Sequence, residues 1–447
     1  MFTIFSSITG SFGAVSVIRI SGSNVIQCLE RLGFKGSPQH QKASFQKISD
    51  IKTGELIDES LITFFQSPNS FTGEDVAEIS IHASPFIAKK IFQILSEING
   101  VRLAEAGEFS KRAFLNGKID LVQAEAIPDL IESETSSQHK QALKQLQGEL
   151  GKIYEDWRFR LIQISAHLEA YIDFPEDDLP QNIIDKVEFD VKKLSSEIQN
   201  HLSDEKIGQK IKDGLSLAII GAPNVGKSSL INFLAKSEVA IVSEIAGTTR
   251  DVVETHLSIA GIAVKIADTA GLRQTQDSIE KEGIKRALQK AEDADLKIFV
   301  LDANNPILRE EDQNLIDKNT IIILNKIDLC EKMPDWVNNL NPIAISLTNR
   351  INTSNLFQKL EEKIINILPN NFSNNFSGQS SALITQERYR IALKNAAGFL
   401  EEFSLDKNIE LAAEDLRMTA REIGKITGKV DIENILDVIF SSFCIGK

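Results

Sequence analysis

The sequence predicts a multi-domain chain of α/β plus α class: an N-terminal α+β domain, then a helical domain interrupted by an inserted α/β domain. Three observations predict it. Short apolar strand-like runs dominate to about residue 110, and amphipathic helical periodicity then takes over. From residue 215 to 368, strand, loop and helix alternate, as they do around a mostly parallel sheet, before helix returns. The length of 447 residues allows two to four domains, at roughly 100–200 residues each.

In the first domain, Ala14–Ile20 and Leu61–Phe65 are apolar and strand-like. Val76–His82 alternates, with Val76, Glu78, Ser80 and His82 opposed to Ala77, Ile79 and Ile81. A helical stretch, Pro85–Ile98, follows. Helix formers then fill Glu108–Leu121, Ala124–Ser133 and Gln138–Leu150. Ile153, Trp157, Leu161, Ile164 and Leu168 recur at spacings of three and four, one stripe of a long helix. The acidic, proline-bounded run Ile172–Pro180 breaks it, and amphipathic Ile183–Leu202 leads to the polar stretch Ser203–Gly214. Strands are expected at Leu215–Ile220, Ala263–Ala267, Lys297–Leu301, Thr320–Leu324 and Ile343–Ile345. The polar run Pro369–Ser381 reads as a linker, and Glu387–Phe403, Leu411–Ile426 and Asp431–Phe440 return to helix. The expected domains are 1–117, 118–212, 213–370 and 371–447, the second and fourth being halves of one helical domain.

Composition narrows the function classes. Lys plus Arg is 49 against 63 for Asp plus Glu, a net charge of −14, which argues against a chain that coats nucleic acid through a general positive field. A local basic patch remains compatible with it. Cys28, Cys330 and Cys444 are odd in number and lack a CxxC pairing, so neither a disulfide framework nor structural zinc is expected. The six histidines have no paired ligand spacing. No apolar run approaches the ~20 residues of a membrane helix. The opening MFTIFSSITGSFGAVSVIRISG lacks a basic leading region, and Arg19 interrupts it where a cleavage site would lie. A cytoplasmic location is expected, with no membrane partner.

The chemistry is carried by motifs at strand ends. GAPNVGKS (Gly221–Ser228) fits GxxxxGK[ST] between a strand and a helix. Its backbone N–H groups, from Asn224, Val225 and Gly226 onwards, can close around phosphates, with Ser229 alongside. Lys227 reaches the β/γ oxygens and the Ser228 hydroxyl can ligate Mg²⁺. DTAG (Asp268, Thr269, Ala270, Gly271) supplies a metal-side carboxylate and a flexible glycine. In NKID, Asn325 and Lys326 precede Asp328, whose carboxylate can accept from guanine N1–H and the N2 amino group; adenine offers no matching donors. Three such motifs in order mark a guanine-nucleotide site on a Ras-like P-loop GTPase domain, binding GTP or GDP. Between the first two lies IAGTTRD (Ile245–Asp251), the expected first switch, and Gly271–Glu282 is the second. Leu272 stands where a water-orienting glutamine often lies; Gln274, Gln276 and Glu280 are nearby, and spacing alone makes Glu280 part of a solvated face of helix Ser278–Lys290. The basic residues Lys111, Arg112 and Lys118 likewise read as a solvated helix face, and NSFTGEDVAE (Asn69–Glu78) as a turn and strand. Cys444, near the C-terminus, is a candidate functional thiol.

Taken with RISG (Arg19–Gly22), NSFTGEDVAE, GEFSKRAFLNGKIDLVQAEAI (Gly107–Ile127), IDFPEDD and the terminal FCIGK, these motifs resemble the MnmE (TrmE) family over nearly the whole chain. That is a family of tRNA uridine 5-carboxymethylaminomethyl modification GTPases. The resemblance implies a homodimer formed through an N-terminal domain that binds 5-formyl- or 5,10-methylene-tetrahydrofolate, with Arg19, Glu78, Lys118 and Lys447 around the folate. It implies K⁺ activation, the ion held by Asn224, Ser243, Ile245 and Thr248, with Glu244, Ala246 and Gly247 completing the nucleotide-side loop. Ser228 and Thr249 would bind Mg²⁺, and Glu280 would position water. It further implies work with the flavoprotein MnmG, in a heterotetramer or larger assembly that carries most of the tRNA contact, to modify the wobble uridine. Three stretches depart from the family pattern: the glycine-rich run before RISG is thinned to TGSFGAVSV, HAS (His82–Ser84) replaces the usual HGG, and Ser346–Leu347 lacks the usual glycine-containing turn. The rivals are an Era-like ribosome-assembly GTPase, which predicts a KH-type RNA module, and a nucleotide-gated folate-binding scaffold.

Overall fold

The computed structural model describes residues 2–9, 13–173, 183–203, 205–237, 239–241, 255–267, 291–330, 334–368, 383–406, 408–430, 436, 439–441, 443, 444 and 446. The chain divides into two compact units, Met1–Pro128 with Gln145–Val187 and Gly398–Lys447, and Asp129–Lys144 with Glu188–Ala397.

The first unit opens with a sheet of strands β1 (Thr3–Ser7), β2 (Val15–Ser21), β3 (Ala43–Ser49), β4 (Leu56–Phe65), β5 (Val76–His82) and β6 (Val101–Leu103), in the order β3-β4-β5-β2-β1-β6. The pairs are antiparallel except β1–β6. Alternation puts Ile18, Ile20, Ile62, Phe64 and Ile79 on one face, under helices α1 (Val25–Arg31) and α2 (Pro85–Ser96). Each such side chain contributes about 1.5–3 kcal/mol by leaving water. Arg19 and Glu78, with the opposite parity, lie on the other face. The expected helix Glu108–Leu121 is two, α3 (Glu108–Leu115) and α4 (Leu121–Ile131), because Gly117 takes left-handed backbone (φ +66°) between them. Gln138–Leu150 is broken in the same way at Gly148, into α5 (Ser136–Leu146) and α6 (Glu149–Asp173). On α6, Trp157, Leu161, Ile164 and Leu168 are buried as their spacing requires, and Leu150 and Tyr154 rather than Ile153 extend the stripe toward the helix start.

The second unit holds α7 (Ile183–Ser203) in large part, α8 (Glu205–Asp213) and a sheet of β7 (Leu215–Ile220), β8 (Ala240–Ile241), β9 (Thr255–Ile259), β10 (Ile262–Ala267), β11 (Leu296–Asp302), β12 (Thr320–Asn325) and β13 (Ile343–Ala344). Its order is β13-β12-β11-β7-β10-β9-β8, parallel from β13 to β10 and antiparallel beyond. The central strands are apolar throughout because both faces are covered. Leu217, Ile219, Ile298 and Ile323 enter one core with α9 (Lys227–Ala235) and α10 (Thr353–Ile367), while Ala218, Ile220, Phe299 and Leu324 enter the other. The polar stretch 203–214 contains α8, whose Ile207 and Ile211, one turn apart, join the first core. Helices α11 (Glu387–Glu402) and α12 (Ile409–Thr427) follow. The linker Pro369–Ser381 and the helix Ser278–Lys290 lie outside the described residues, as does most of Asp431–Phe440.

Candidate functional site

The C-terminal ends of β7, β11 and β12 are neighbours in the sheet, and the first nucleotide motif begins where β7 stops. The loop turns through Gly221 to Gly226, the N-cap of α9. Gly226 has φ +107°, and a Cβ there would stand 2.3 Å from Asn325 Nδ2, so only glycine fits. Lys227 Nζ donates to the Gly221 and Ala222 carbonyls at 2.8 Å each, which folds the cation over the loop. Burial is the main cause holding its pKa below the ordinary lysine value; Asp312 opposes that and Arg309 adds to it. Ser228 and Ser229 are exposed on the first turn of α9, where unpaired N–H groups and the helix dipole favour an anion. Asn224 is exposed at the loop's rim in left-handed backbone (φ +63°).

The third motif is tied to the first by two side chains. Asn325, 3% exposed, donates from Nδ2 to the Val225 carbonyl at 2.9 Å and accepts at Oδ1 from Leu347 N–H at 3.3 Å. Lys326 Nζ donates to the Asn224 carbonyl at 2.8 Å and to Asp302 Oδ2 at 2.6 Å. Asp328 is exposed on the short turn Ile327–Leu329. The loop expected to hold phosphate and the carboxylate expected to read the base are thereby held on one rim. Asp302 escaped the sequence reading, which met Leu347 only as part of the Ser346–Leu347 departure; the position of Asp302, at the end of an apolar strand, was the available signal. Ser243, Glu244, Ile245, Ala246, Gly247, Thr248, Thr249, Asp268, Thr269, Ala270, Gly271 and Glu280 lie outside the described residues, as does Lys447.

A second constellation occupies the polar face of the N-terminal sheet. Arg19 and Glu78 are cross-strand partners, and the guanidinium donates from Nε (2.9 Å) and Nη2 (2.7 Å) to the same oxygen, Glu78 Oε1. It also lies 5.1 Å from the Phe71 ring and 5.6 Å from that of Phe109. The turn carrying Phe71 is anchored from below: Ser21 Oγ bonds Thr72 Oγ1 and donates to Glu74, and Asn116 donates to the Thr72 carbonyl, each at 2.7 Å. Arg112 is not on a solvated face. It is 3% exposed, donating to Glu74, Glu108 and the Phe2 carbonyl, because the FTGED turn folds over α3. Lys118 is exposed and donates to the Pro68 carbonyl at 2.9 Å. The tail closes on this domain as well. The Cys444 carbonyl accepts from Gly107 N–H at 3.5 Å, and a Cβ at Gly446 would meet the Ser7 carbonyl at 2.2 Å. The Cys444 residue itself is exposed.

Among the described residues no helix is long and apolar enough to cross a membrane. Family profiles match nearly the whole chain: "GTP-binding protein TrmE N-terminus" over residues 3–118 and "MnmE helical domain" over residues 121–444. The chain is 45% identical over 455 residues to the tRNA modification GTPase MnmE of Rickettsia bellii (strain RML369-C), with 100% of both chains covered. The corresponding proteins of Rickettsia akari (strain Hartford) and Rickettsia prowazekii (strain Madrid E) are 46% and 45% identical, again over 100% of each chain.

Proposed function

The chain belongs to the MnmE family of tRNA modification GTPases and is a GTP hydrolase acting in tRNA modification, and we propose that it works in the cytoplasm as a K⁺-activated homodimer with the flavoprotein MnmG. The pair installs the 5-(carboxymethyl)aminomethyl group on the wobble uridine of certain tRNAs, with tetrahydrofolate as one-carbon source and FAD in the partner. Profiles of the family's N-terminal and helical domains leave no segment for the RNA module of the Era-like alternative.

The observation that supports the reading is the double bridge from Asn325 and Lys326 to the Gly221–Ser228 loop, which brings the two motifs onto one rim. On GTP binding, Lys227 exchanges its two carbonyl acceptors for β/γ oxygens. The exposed Ser228 hydroxyl suits Mg²⁺, with Thr249 and the Asp268 carboxylate as the expected companions. Asn224, on the rim with its side chain exposed, suits K⁺ together with Ser243, Ile245 and Thr248. A potassium ion there supplies positive charge near the phosphates where other GTPases use a guanidinium. Glu280 orients the attacking water. In the N-terminal domain, Glu78 offers a carboxylate to the pterin's donor edge and Arg19, Lys118 and Lys447 offer cations to the glutamate tail. The buried approach of Gly446 to Ser7 supports a role for Lys447, the next residue of a tail that closes on β1.

The test is reconstitution with the purified flavoprotein, a wobble-uridine tRNA and methylene-tetrahydrofolate, in K⁺ and in Na⁺. Both GTP turnover and modified nucleoside should rise substantially in K⁺. Equal turnover in the two salts would remove the potassium assignment. Full modification without this chain, or with GTP hydrolysis blocked, would instead favour a nucleotide-gated scaffold.

A further inference from the structure

The strand pair β9–β10 is framed in the chain by the two expected switches. The first ends at Asp251, shortly before β9 opens at Thr255, and DTAG begins at Asp268, directly after β10 closes at Ala267. A rearrangement of those loops around a γ-phosphate is therefore felt at the open end of this hairpin. The turn at its other end is Ala260–Gly261, both in left-handed backbone (φ +50° and +73°). At Ala260 that conformation costs about 1–3 kcal/mol, a kind of strain found at clamps and switch regions.

A segment from far upstream grips the hairpin. Asp129–Lys144, the end of α4 and most of α5, belongs to the same compact unit as this sheet, although its chain neighbours Pro128 and Gln145 both belong to the first unit. On β9, His256 Nδ1 donates to Glu134 Oε2 at 2.8 Å; in the turn, the Gly261 carbonyl accepts from Ser137 N–H at 3.2 Å. Ser137 lies in the first turn of α5, where the helix has no carbonyl to offer its N–H, so this bond is a hold on the hairpin and not part of the helix. Thr135 and Gln138 cap each other, the N–H of each bonding the other's side chain, which makes the start of α5 move as one piece. Further bonds fix the segment to parts that no switch adjoins: Asp129 and Gln138 Nε2 to Lys212, and Gln141 Nε2 to the Leu383 carbonyl, each at 2.9 Å. Pro128, inside α4 at the unit boundary, removes an N–H from the helix ladder and lets it bend there.

We propose that Asp129–Lys144 reads out the nucleotide state: its grip on the β9–β10 hairpin is held with GDP and loosens with GTP, freeing a segment whose two ends both continue into the first unit. The inference rests on the guanine-nucleotide reading above and adds an output to it. Glu134 and His256 are positioning residues. With Lys227 folded onto the Gly221 and Ala222 carbonyls, the arrangement described is one without a γ-phosphate contact, and the grip belongs to that arrangement. A 2.8 Å hydrogen bond is lost when its partners separate by about 1 Å, so a small movement of the hairpin releases it.

The test is hydrogen exchange, read by peptide mass, across Glu134–Lys144 in the full-length chain saturated with GDP or with a non-hydrolysable GTP analogue. Exchange should be about fivefold faster with the analogue, the lower end of ordinary coupling between sites. Glu134→Ala should exchange at the fast rate with either nucleotide. By reciprocity it should also shift the preference for the analogue over GDP about fivefold from that of the parent, which a merely structural loss in this segment would not do. His256→Ala should reproduce both effects, and the double variant should add nothing, since both substitutions break the same bond. Equal or slower exchange with the analogue in the parent, a parental nucleotide preference in Glu134→Ala, or additive losses in the double variant would each overturn the proposal and leave the nucleotide site standing. A parent chain that binds neither nucleotide would instead defeat the reading on which it rests.

Discussion

Replacing Asn325 with alanine removes one side chain from the centre of the nucleotide site and leaves two backbone groups behind. The Val225 carbonyl loses its 2.9 Å donor and Leu347 N–H loses its 3.3 Å acceptor. A buried polar group without a partner costs about 1–3 kcal/mol. The site opens on a rim that water can reach, so the lower end applies to each, giving about 2 kcal/mol in all. If nucleotide binding requires the phosphate loop in the conformation Asn325 holds, that energy must be recovered on binding, and GDP affinity should fall roughly 30-fold. Whatever part of the 2 kcal/mol the free loop does not relax away lowers the melting temperature of the nucleotide-free second unit instead, by up to about 4–8 °C. A fluorescent GDP analogue titrated into both proteins gives the affinity, and calorimetric melts give the stability. Variant affinity within threefold of the parent, at unchanged melting temperature, would refute the idea that Asn325 braces the loop.

Gly226→Ala should weaken GDP binding by a similar factor, since its Cβ would meet Asn325 Nδ2 at 2.3 Å; combined with Asn325→Ala the losses should sum to less than the two singles, because the clashing atom is gone, and a double-mutant cycle reads this. Arg112→Met should destabilise the first unit by about 3 kcal/mol in a denaturant titration, because buried Glu108 and half-buried Glu74 remain around the vacated position. Burial pushes the Glu108 pKa up, but hydrogen bonds from Arg102, Glu105 N–H and Arg112 outweigh it and hold the carboxyl below its ordinary 4.5. Its stabilisation is thus present above that value and lost as pH falls through the folded pKa, and Arg112→Met should move acid unfolding to higher pH. Iodoacetamide at pH 8 should label exposed Cys444 and spare Cys28, whose thiol is buried and pushed up to about 12; peptide mass analysis under native conditions checks this.

The parallel sheet was legible because its central strands are buried on both faces, so Leu215–Ile220 and Thr320–Asn325 stand out as apolar runs. The same logic explains what was missed. The edge strand β3 and the next-to-edge strand β9 alternate weakly and are half exposed, and β1 is hidden in a run that resembles a leader. Helix breaks at Gly117 and Gly148 depend on backbone φ, which periodicity does not register. At the nucleotide site, motif spacing gave Lys227, Asn325 and Asp328, whose roles face a ligand. It did not give Asp302, which acts through Lys326, nor the bond from Leu347, named only as a departure from the family pattern, to Asn325; both span gaps of more than twenty residues. Arg112 was misread for a related reason: as an i, i+4 neighbour of Glu108 it looks like surface charge patterning, and only the return of the FTGED turn, 38 residues earlier in the chain, buries it.

Net charge shows the same limit in another form. The sum of −14 counts every carboxylate and cation equally, but the field a ligand meets comes from charges not already neutralised by neighbours. Arg112 with Glu74 and Glu108, Lys297 with Asp317, and Lys210 with Asp295 are ion pairs inside the fold and present little to a partner. Screening at physiological salt, with a Debye length of about 8 Å, confines the remainder to their immediate surroundings. A net charge therefore says little about the field at any one place on the surface, and an acidic total is compatible with a local site of either sign.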